Sequence, residues 1–328
     1  VSNVVLGLDI GGANLKAATA AGQAATVPFA LWRDPHGLPD ALRQLLARLP
    51  AADTLAVTMT GELCDCFETK RDGVRHILKC VTEVAAGRPV QVWSTAGEFV
   101  TPDAAETMAV ASANWHALAT FVGRLVPSGP ALLIDIGSTT TDLIPLLDGV
   151  PVSRGKTDTE RLEFAELVYT GVRRTPVMAL LPPGRYAAEL FATTLDVYLL
   201  TGDIPEVADD CDTADGRPAT KTCAHARISR MLGGDQDVID LEGTNRVAQE
   251  VRLVQRRILR LADPLVAAFA NSQVTFVTSG SGEFLTLWIL ANGMDIRHVI
   301  SLTERFGPDL ATCAPAYAVA VLAAERGA

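Results

Sequence analysis

Leu8-Asp9-Ile10-Gly11-Gly12-Ala13-Asn14-Leu15-Lys16 is echoed later in the chain by Ile134-Asp135-Ile136-Gly137-Ser138-Thr139-Thr140-Thr141-Asp142. In each copy a short apolar run (from Val4 to Leu8, from Ala131 to Ile134) leads to an aspartate, with a glycine two positions on. A second apolar run (from Leu15 to Ala20, from Leu143 to Leu147) then ends in a small turn, Ala21-Gly22-Gln23 or Asp148-Gly149. Strand, glycine turn, strand predicts a β-hairpin whose tip N–H groups are free to hold phosphate oxygens. The aspartate opening each tip is a candidate Mg²⁺ ligand, acting through water because Mg²⁺ dehydrates reluctantly. One copy alone is ordinary turn chemistry. Two copies in the same context predict a clamp for a diphosphate or triphosphate, and the residues after each glycine read as strand, unlike a P-loop, which runs into a helix.

The 328 residues are enough for two domains with full cores, expected at 1–128 and 129–328. A hydrophobic share of 48% beside 20% charged residues is globular and excludes a disordered composition. The net charge of −10 argues against a nucleic-acid partner, which needs basic surface. No apolar run reaches the roughly 18 residues of a membrane span, and no apolar signal core opens the chain, so a cytoplasmic protein is expected. Cys64-x-Cys66 and Cys223-x-His225 are spaced more tightly than structural zinc sites, so the six cysteines read as buried or incidental thiols.

Strands are expected near 4–8, 15–20, 55–59 and 90–93, with helices over 38–49 and 74–85 from their apolar spacing. One long helix is expected from Pro102 to Val122, with the C-terminal alanine-rich run as a buried helix that packs back on the first domain. The stretch 145–179 reads as strand-like and irregular, and 185–200 as a helix. A polar, lid-like loop spans 202–222. A long amphipathic helix is expected from Thr244 to Ala270, and Thr278-Ser279-Gly280-Ser281-Gly282 joins a strand to a helix.

At the first tip, Gly11 and Gly12 allow close backbone approach to phosphate, and Lys16 reaches the same anion if it shares a strand face with Asn14. The second tip supplies Gly137 and the hydroxyls of Ser138, Thr139, Thr140 and Thr141, while Asp142 either binds metal or orients Thr140. Gly280, Ser281 and Gly282 resemble a helix N-terminus that receives an anion. Glu62, in Thr58-Met59-Thr60-Gly61-Glu62, lies past a strand expected beside the first hairpin and is a candidate base or metal ligand. In the acidic loop, Asp203 is the candidate metal ligand.

The paired tips and third turn are similar to the actin-like, sugar-kinase and heat-shock-protein superfamily. That resemblance implies an α/β fold of two duplicated ribonuclease-H-like domains around a central cleft. With Val57-Thr58-Met59-Thr60-Gly61-Glu62-Leu63 and Asp212-Thr213-Ala214-Asp215-Gly216-Arg217-Pro218, the chain resembles the hydantoinase/oxoprolinase-like branch linked to one-carbon metabolism. The branch implies a transferase of methanofuran or methylofuran biosynthesis. It would couple an aminomethylfuran-methyl diphosphate to the phenol oxygen of γ-glutamyltyramine or a related tyrosine derivative, releasing diphosphate. Gly11, Gly12 and 137–140 would then cradle the diphosphate, Asp9 and Asp135 would hold Mg²⁺, and Glu62 would accept the phenol proton. Ala13-Asn14 stands where kinases of the superfamily usually carry Thr or Ser, and Lys16 where oxoprolinase relatives tend to carry an acid. ATP use, a small-molecule kinase, a non-catalytic nucleotide switch and a homo-oligomeric state all stay open at this stage.

Overall fold

A computed structural model of the chain describes residues 4–260, 264, 269, 273–292 and 298–327. The strands are β1 Val5–Ile10, β2 Asn14–Thr19, β3 Ala24–Pro28, β4 Thr54–Met59, β5 Val90–Trp93 and β6 Phe99–Val100, then β7 Pro130–Ile136, β8 Thr141–Leu147, β9 Val150–Pro151, β10 Leu167–Val168, β11 Thr275–Ser279 and β12 Val299–Ser301. They form one sheet ordered β3-β2-β1-β4-β5-β6 and a second ordered β10-β8-β7-β11-β12, with β9 paired to β8. The duplication extends to register. β1 lies antiparallel to β2 and parallel to β4, and β7 lies antiparallel to β8 and parallel to β11. Asp9 faces Lys16 across one hairpin, and Asp135 faces Asp142 at the matching position of the other.

Two helices, Asn114–Val122 and Ala314–Glu325, pack against each other, and the second lies on β1, β2 and β4. Their small and branched side chains join Val5, Ala56 and Trp93 of the first sheet to Leu133, Ile144 and Val277 of the second in one buried cluster. Helix Ala314–Glu325 is apolar nearly all round, as a helix buried between layers must be. Its backbone rests directly on β1. A Cβ built on Gly7 would lie 1.9 Å from the Ala316 carbonyl oxygen.

Several expectations are corrected by tertiary contacts. The continuous helix over 102–122 is instead Thr107–Val110 and Asn114–Val122, broken at Ser112, whose φ is +49°. The stretch 145–179 contains helix Asp158–Glu163, started by a capping box in which Thr157 and Glu160 satisfy each other's backbone. Helix 185–200 is only Thr194–Thr201, again opened by a box, Thr193 with Asp196. The lid-like loop ends at helix Lys221–Met231, and strand β3 follows the first hairpin; neither element is among the expectations above. The amphipathic helix runs Leu241–Leu259, and most of its expected continuation to Ala270 falls outside the described residues. Among the described residues no helix is long and apolar enough to cross a membrane.

Gly7→Ala is expected to force helix and strand apart and cost about 3 kcal/mol, the upper end for overpacking a dense core. Urea unfolding followed by far-UV circular dichroism measures it, and an unchanged midpoint would contradict the close approach.

Candidate active site

The two hairpin tips and the third turn line one cavity of about 500 Å³. The first hairpin contributes 11–14 and Lys16, the second 137–140, and the third turn Gly280 and Ser281. Each tip closes the same way. Gly11 N–H donates to the Asn14 carbonyl at 3.1 Å, and Gly137 N–H to the Thr140 carbonyl at 2.8 Å. This closure leaves the amides of Gly12, Ala13, Ser138 and Thr139 without an acceptor among the described residues, available to an anion. Gly280 has φ +88°, and a Cβ there would fall 2.4 Å from Asp135 Oδ1, so the third turn can press on that carboxylate only as glycine.

Asp9 is 6% exposed, and among the described residues its Oδ1 has no hydrogen-bond partner. Burial pushes its carboxyl above the usual aspartate range, against the pull of Lys16. Asp135 is pushed up to about 7, first by burial and then by Asp142, with Lys16 opposing and Asp9 adding to the shift. Charges of the first hairpin therefore act on the carboxylate of the second: the tips face one another. Lys16 lines the cavity with Asn14, as strand alternation requires, and makes no hydrogen bond or ion pair among the described residues.

The residues at the aspartate level fit a hydrated hard cation. Among the described residues Asp9 Oδ1 and the buried Thr58 hydroxyl have no partner, while the buried Ser279 hydroxyl bears on Asp135; Thr58 and Ser279 pair in register with Asp9 and Asp135. Unpartnered oxygens around two carboxylates suit Mg²⁺, which takes oxygen donors and keeps its waters. Asp142 is committed elsewhere. Its Oδ1 accepts from Arg161 at 2.8 Å, and that guanidinium, 1% exposed, lies 4.1 Å over the Trp115 ring.

Four sequence candidates move. Thr141 is buried in β8 and donates to the Thr170 carbonyl at 2.7 Å, so it is a strand anchor, not an anion donor. Gly282 spends its N–H on the Ile136 carbonyl at 2.8 Å and is packed between Ile136 and Val172, outside the cavity. Asp203 lies outside the cavity too, accepting from Thr201 at 2.5 Å and pairing with Arg252 at 3.4 Å. Glu62 is fully buried behind the wall. Its Oε1 lies 2.6 Å from Ser112 Oγ, its Oε2 has no partner among the described residues, and burial pushes its carboxyl up.

The fold also delivers groups that no local sequence pattern marks as site residues. Ser112, Asp158, Arg161, Arg173 and Arg174 all line the cavity. Arg173 donates to both oxygens of Asp210 and to the Asp212 carbonyl, and Arg174 reaches Asp212 at 3.4 Å, which ties the acidic loop to the cleft. The Asp212–Pro218 run owes its pattern to Asp215, whose carboxylate receives the buried Arg227 at 2.9 Å. The Thr157–Glu160 capping box was the one local signal that could have placed Asp158 at a helix start.

Because folded Asp135 keeps its proton up to about pH 7 and its reference pKa is 3.8, the native state binds the extra proton between those values. Stability of the metal-free protein therefore falls as pH rises through that window. Asp135→Asn is expected to lessen the loss and raise the metal-free melting temperature at pH 8 by about 3 °C. Scanning calorimetry at pH 5 and pH 8 checks this, and a lowered midpoint at pH 8 would refute it.

The hydantoinase/oxoprolinase family model matches residues 53–326. A curated relative from Methanocaldococcus jannaschii, the (4-{4-[2-(gamma-L-glutamylamino)ethyl]phenoxymethyl}furan-2-yl)methanamine synthase, is 33% identical over 331 residues and is covered over 97% of both chains. The protein of the same name from Methanococcus vannielii is 34% identical over 58% of this chain and 89% of its own. Among solved structures, component A of the Acidaminococcus fermentans (R)-2-hydroxyglutaryl-CoA dehydratase superposes with TM-score 0.50 at 13% identity over 99% of both chains. Nucleotide-free acetone carboxylase superposes with TM-score 0.56 at 11% identity, over 98% of this chain and 70% of its own. These likenesses speak to the fold alone, a mixed α/β arrangement of two sheets of the actin-like ATPase kind. With the model matched over most of its length and a third of its residues shared with a full-length relative, the chain belongs to the hydantoinase/oxoprolinase family.

Proposed function

We propose that this protein is a transferase of methanofuran-type cofactor biosynthesis, joining an aminomethylfuran-methyl diphosphate to the phenol oxygen of γ-glutamyltyramine or a close tyrosine derivative. The observation that carries the reading is the convergence of two hairpin tips, with unpartnered amides and the unpaired Lys16, on one cavity large enough for a small substrate. The full-length identity to a synthase of that name supports it.

In this reading the amides of Gly12, Ala13, Ser138 and Thr139 hold the diphosphate, and Lys16 faces it as a compact charge. Asp9 and Asp135 would hold Mg²⁺, which when bound neutralises charge on the leaving diphosphate. The phenol oxygen forms its bond to the furan methylene carbon while the methylene–diphosphate bond breaks, its electron pair leaving on diphosphate. The phenol proton goes to a base and then to diphosphate or solvent. Preorganised donors aimed at the oxygens where charge develops supply most of the acceleration.

Purified protein with Mg²⁺ is expected to release diphosphate only when both substrates are present, with the ether product seen by mass spectrometry. Phosphoryl transfer from ATP in place of that reaction would overturn the proposal in favour of a kinase. Lys16→Met is expected to lower turnover about 100-fold, as loss of one charge-stabilising donor does. Chelation with EDTA is expected to abolish release, and added Mg²⁺ to restore it.

A further inference from the structure

Ser112 and Asp158 line the cavity, and with Glu62 and Lys70 behind them they form a chain of four polar groups whose protons can be counted. Ser112 Oγ lies 2.6 Å from Glu62 Oε1 and 2.9 Å from Asp158 Oδ2, and Lys70 Nζ lies 2.6 Å from the same Asp158 oxygen. A hydroxyl has one proton, so it can donate to only one of two carboxylates. With both ionised, the second contact would set lone pair against lone pair. Asp158 has an ammonium partner and lines the cavity, whereas Glu62 is sealed from water with one oxygen unpartnered. Of the two carboxyls, Glu62 is the one that burial drives toward its neutral form, and in that form it leaves the Ser112 proton free for Asp158.

The backbone is bent to make this possible. Ser112 holds φ +49°, a conformation that L residues seldom adopt, and it does so at the break between two helices. At the same end of the cavity, Leu63 and Tyr169 are 54% and 55% exposed, and Asp158 and Lys70 both bear on the Tyr169 hydroxyl. Large side chains left open beside a carboxylate suit an aromatic ring that carries an acidic hydroxyl.

We propose that Asp158 is the catalytic base that accepts the phenol proton, oriented by Ser112 and Lys70, with Leu63 and Tyr169 framing the phenol ring. Glu62 is then a positioning residue, one hydroxyl removed from the substrate. This assignment rests on the transferase reading and names its acceptor subsite. The phenol O–H bond breaks to Asp158 Oδ as the phenol oxygen bonds to the methylene carbon; the proton leaves later for diphosphate or solvent. A phenol with a pKa of about 10 gains from such a base in the transition state.

The test measures diphosphate release by wild type and Asp158→Asn with γ-glutamyltyramine and with its ring-fluorinated analogue, whose phenol is the stronger acid. Asp158→Asn is expected to lose about 100-fold in kcat on the ordinary phenol and to recover most of it on the fluorinated one. Binding of inorganic diphosphate with Mg²⁺, followed calorimetrically, is expected to stay within about twofold of wild type. An active wild type with Asp158→Asn within about threefold of it, or a loss equal on both phenols, overturns the assignment of the base alone. A wild type that releases no diphosphate from any such pair overturns the transferase reading beneath it. If Asp158→Asn does not bind diphosphate, Ser112→Ala carries the test. It keeps the carboxylate but frees its orientation, so kcat falls about tenfold with little change in KM for the phenol, and an unchanged kcat overturns the proposal.

Discussion

Two aspartates whose desolvation opposes their charge, both acted on by one lysine, are the constraint on which this molecule depends. Asp9 and Asp135 end central strands of separate sheets, and both are pushed toward their neutral forms by burial. Desolvating like charges in one cleft costs stability that only an opposing charge can offset. Lys16 offsets part of it. The unpartnered oxygens and amides around it are groups that a folded chain normally satisfies, so their concentration here marks a site organised for a guest.

The duplication holds for the hairpin and the parallel strand beside it and is broken in charge. Lys16 and Asp142 occupy the same register position of the two hairpins, one a cation and one an anion. The second hairpin would have put two adjacent aspartates into the cleft without relief. Arg161 supplies that relief from helix Asp158–Glu163, and its stacking on Trp115 pins it to a helix between the sheets. The same short helix carries Asp158 at its first residue, so one element both relieves the charge of Asp142 and furnishes a second carboxylate to the cavity wall. Beside the second tip, where their N–H groups donate to the Ser138 carbonyl, Arg173 and Arg174 bind aspartates of the acidic loop, which gives that loop its polar composition without any metal role for Asp203.

Legibility in the sequence followed the range of the interactions. The hairpins were readable because strand alternation and a tip glycine are local, and Lys16 fell on the face of Asn14 for the same reason. Thr141 and Gly282 were over-read. Both lie next to true tip residues, and only the Thr170 and Ile136 carbonyls, brought in by other segments, show that their donors are spent. Ser112 could not be read at all. Its helical surroundings predict continuity, and the break exists where Glu62 and Asp158, 50 and 46 residues away, converge on its hydroxyl. Asp158 was readable in principle through its capping box, but its ion pair with Lys70 spans 88 residues.

By itself the sequence determined the repeated strand-turn-strand units, the acidic and apolar balance and the small residues that let backbones touch, because each depends on neighbours within a few positions. Only the tertiary structure decided which candidates meet. It set Asp9, Asp135 and Lys16 around one space, moved Glu62 behind Ser112 and brought Asp158 to the wall. Burial and charge–charge distance are properties of the packed sheets, and no run of residues states them in advance.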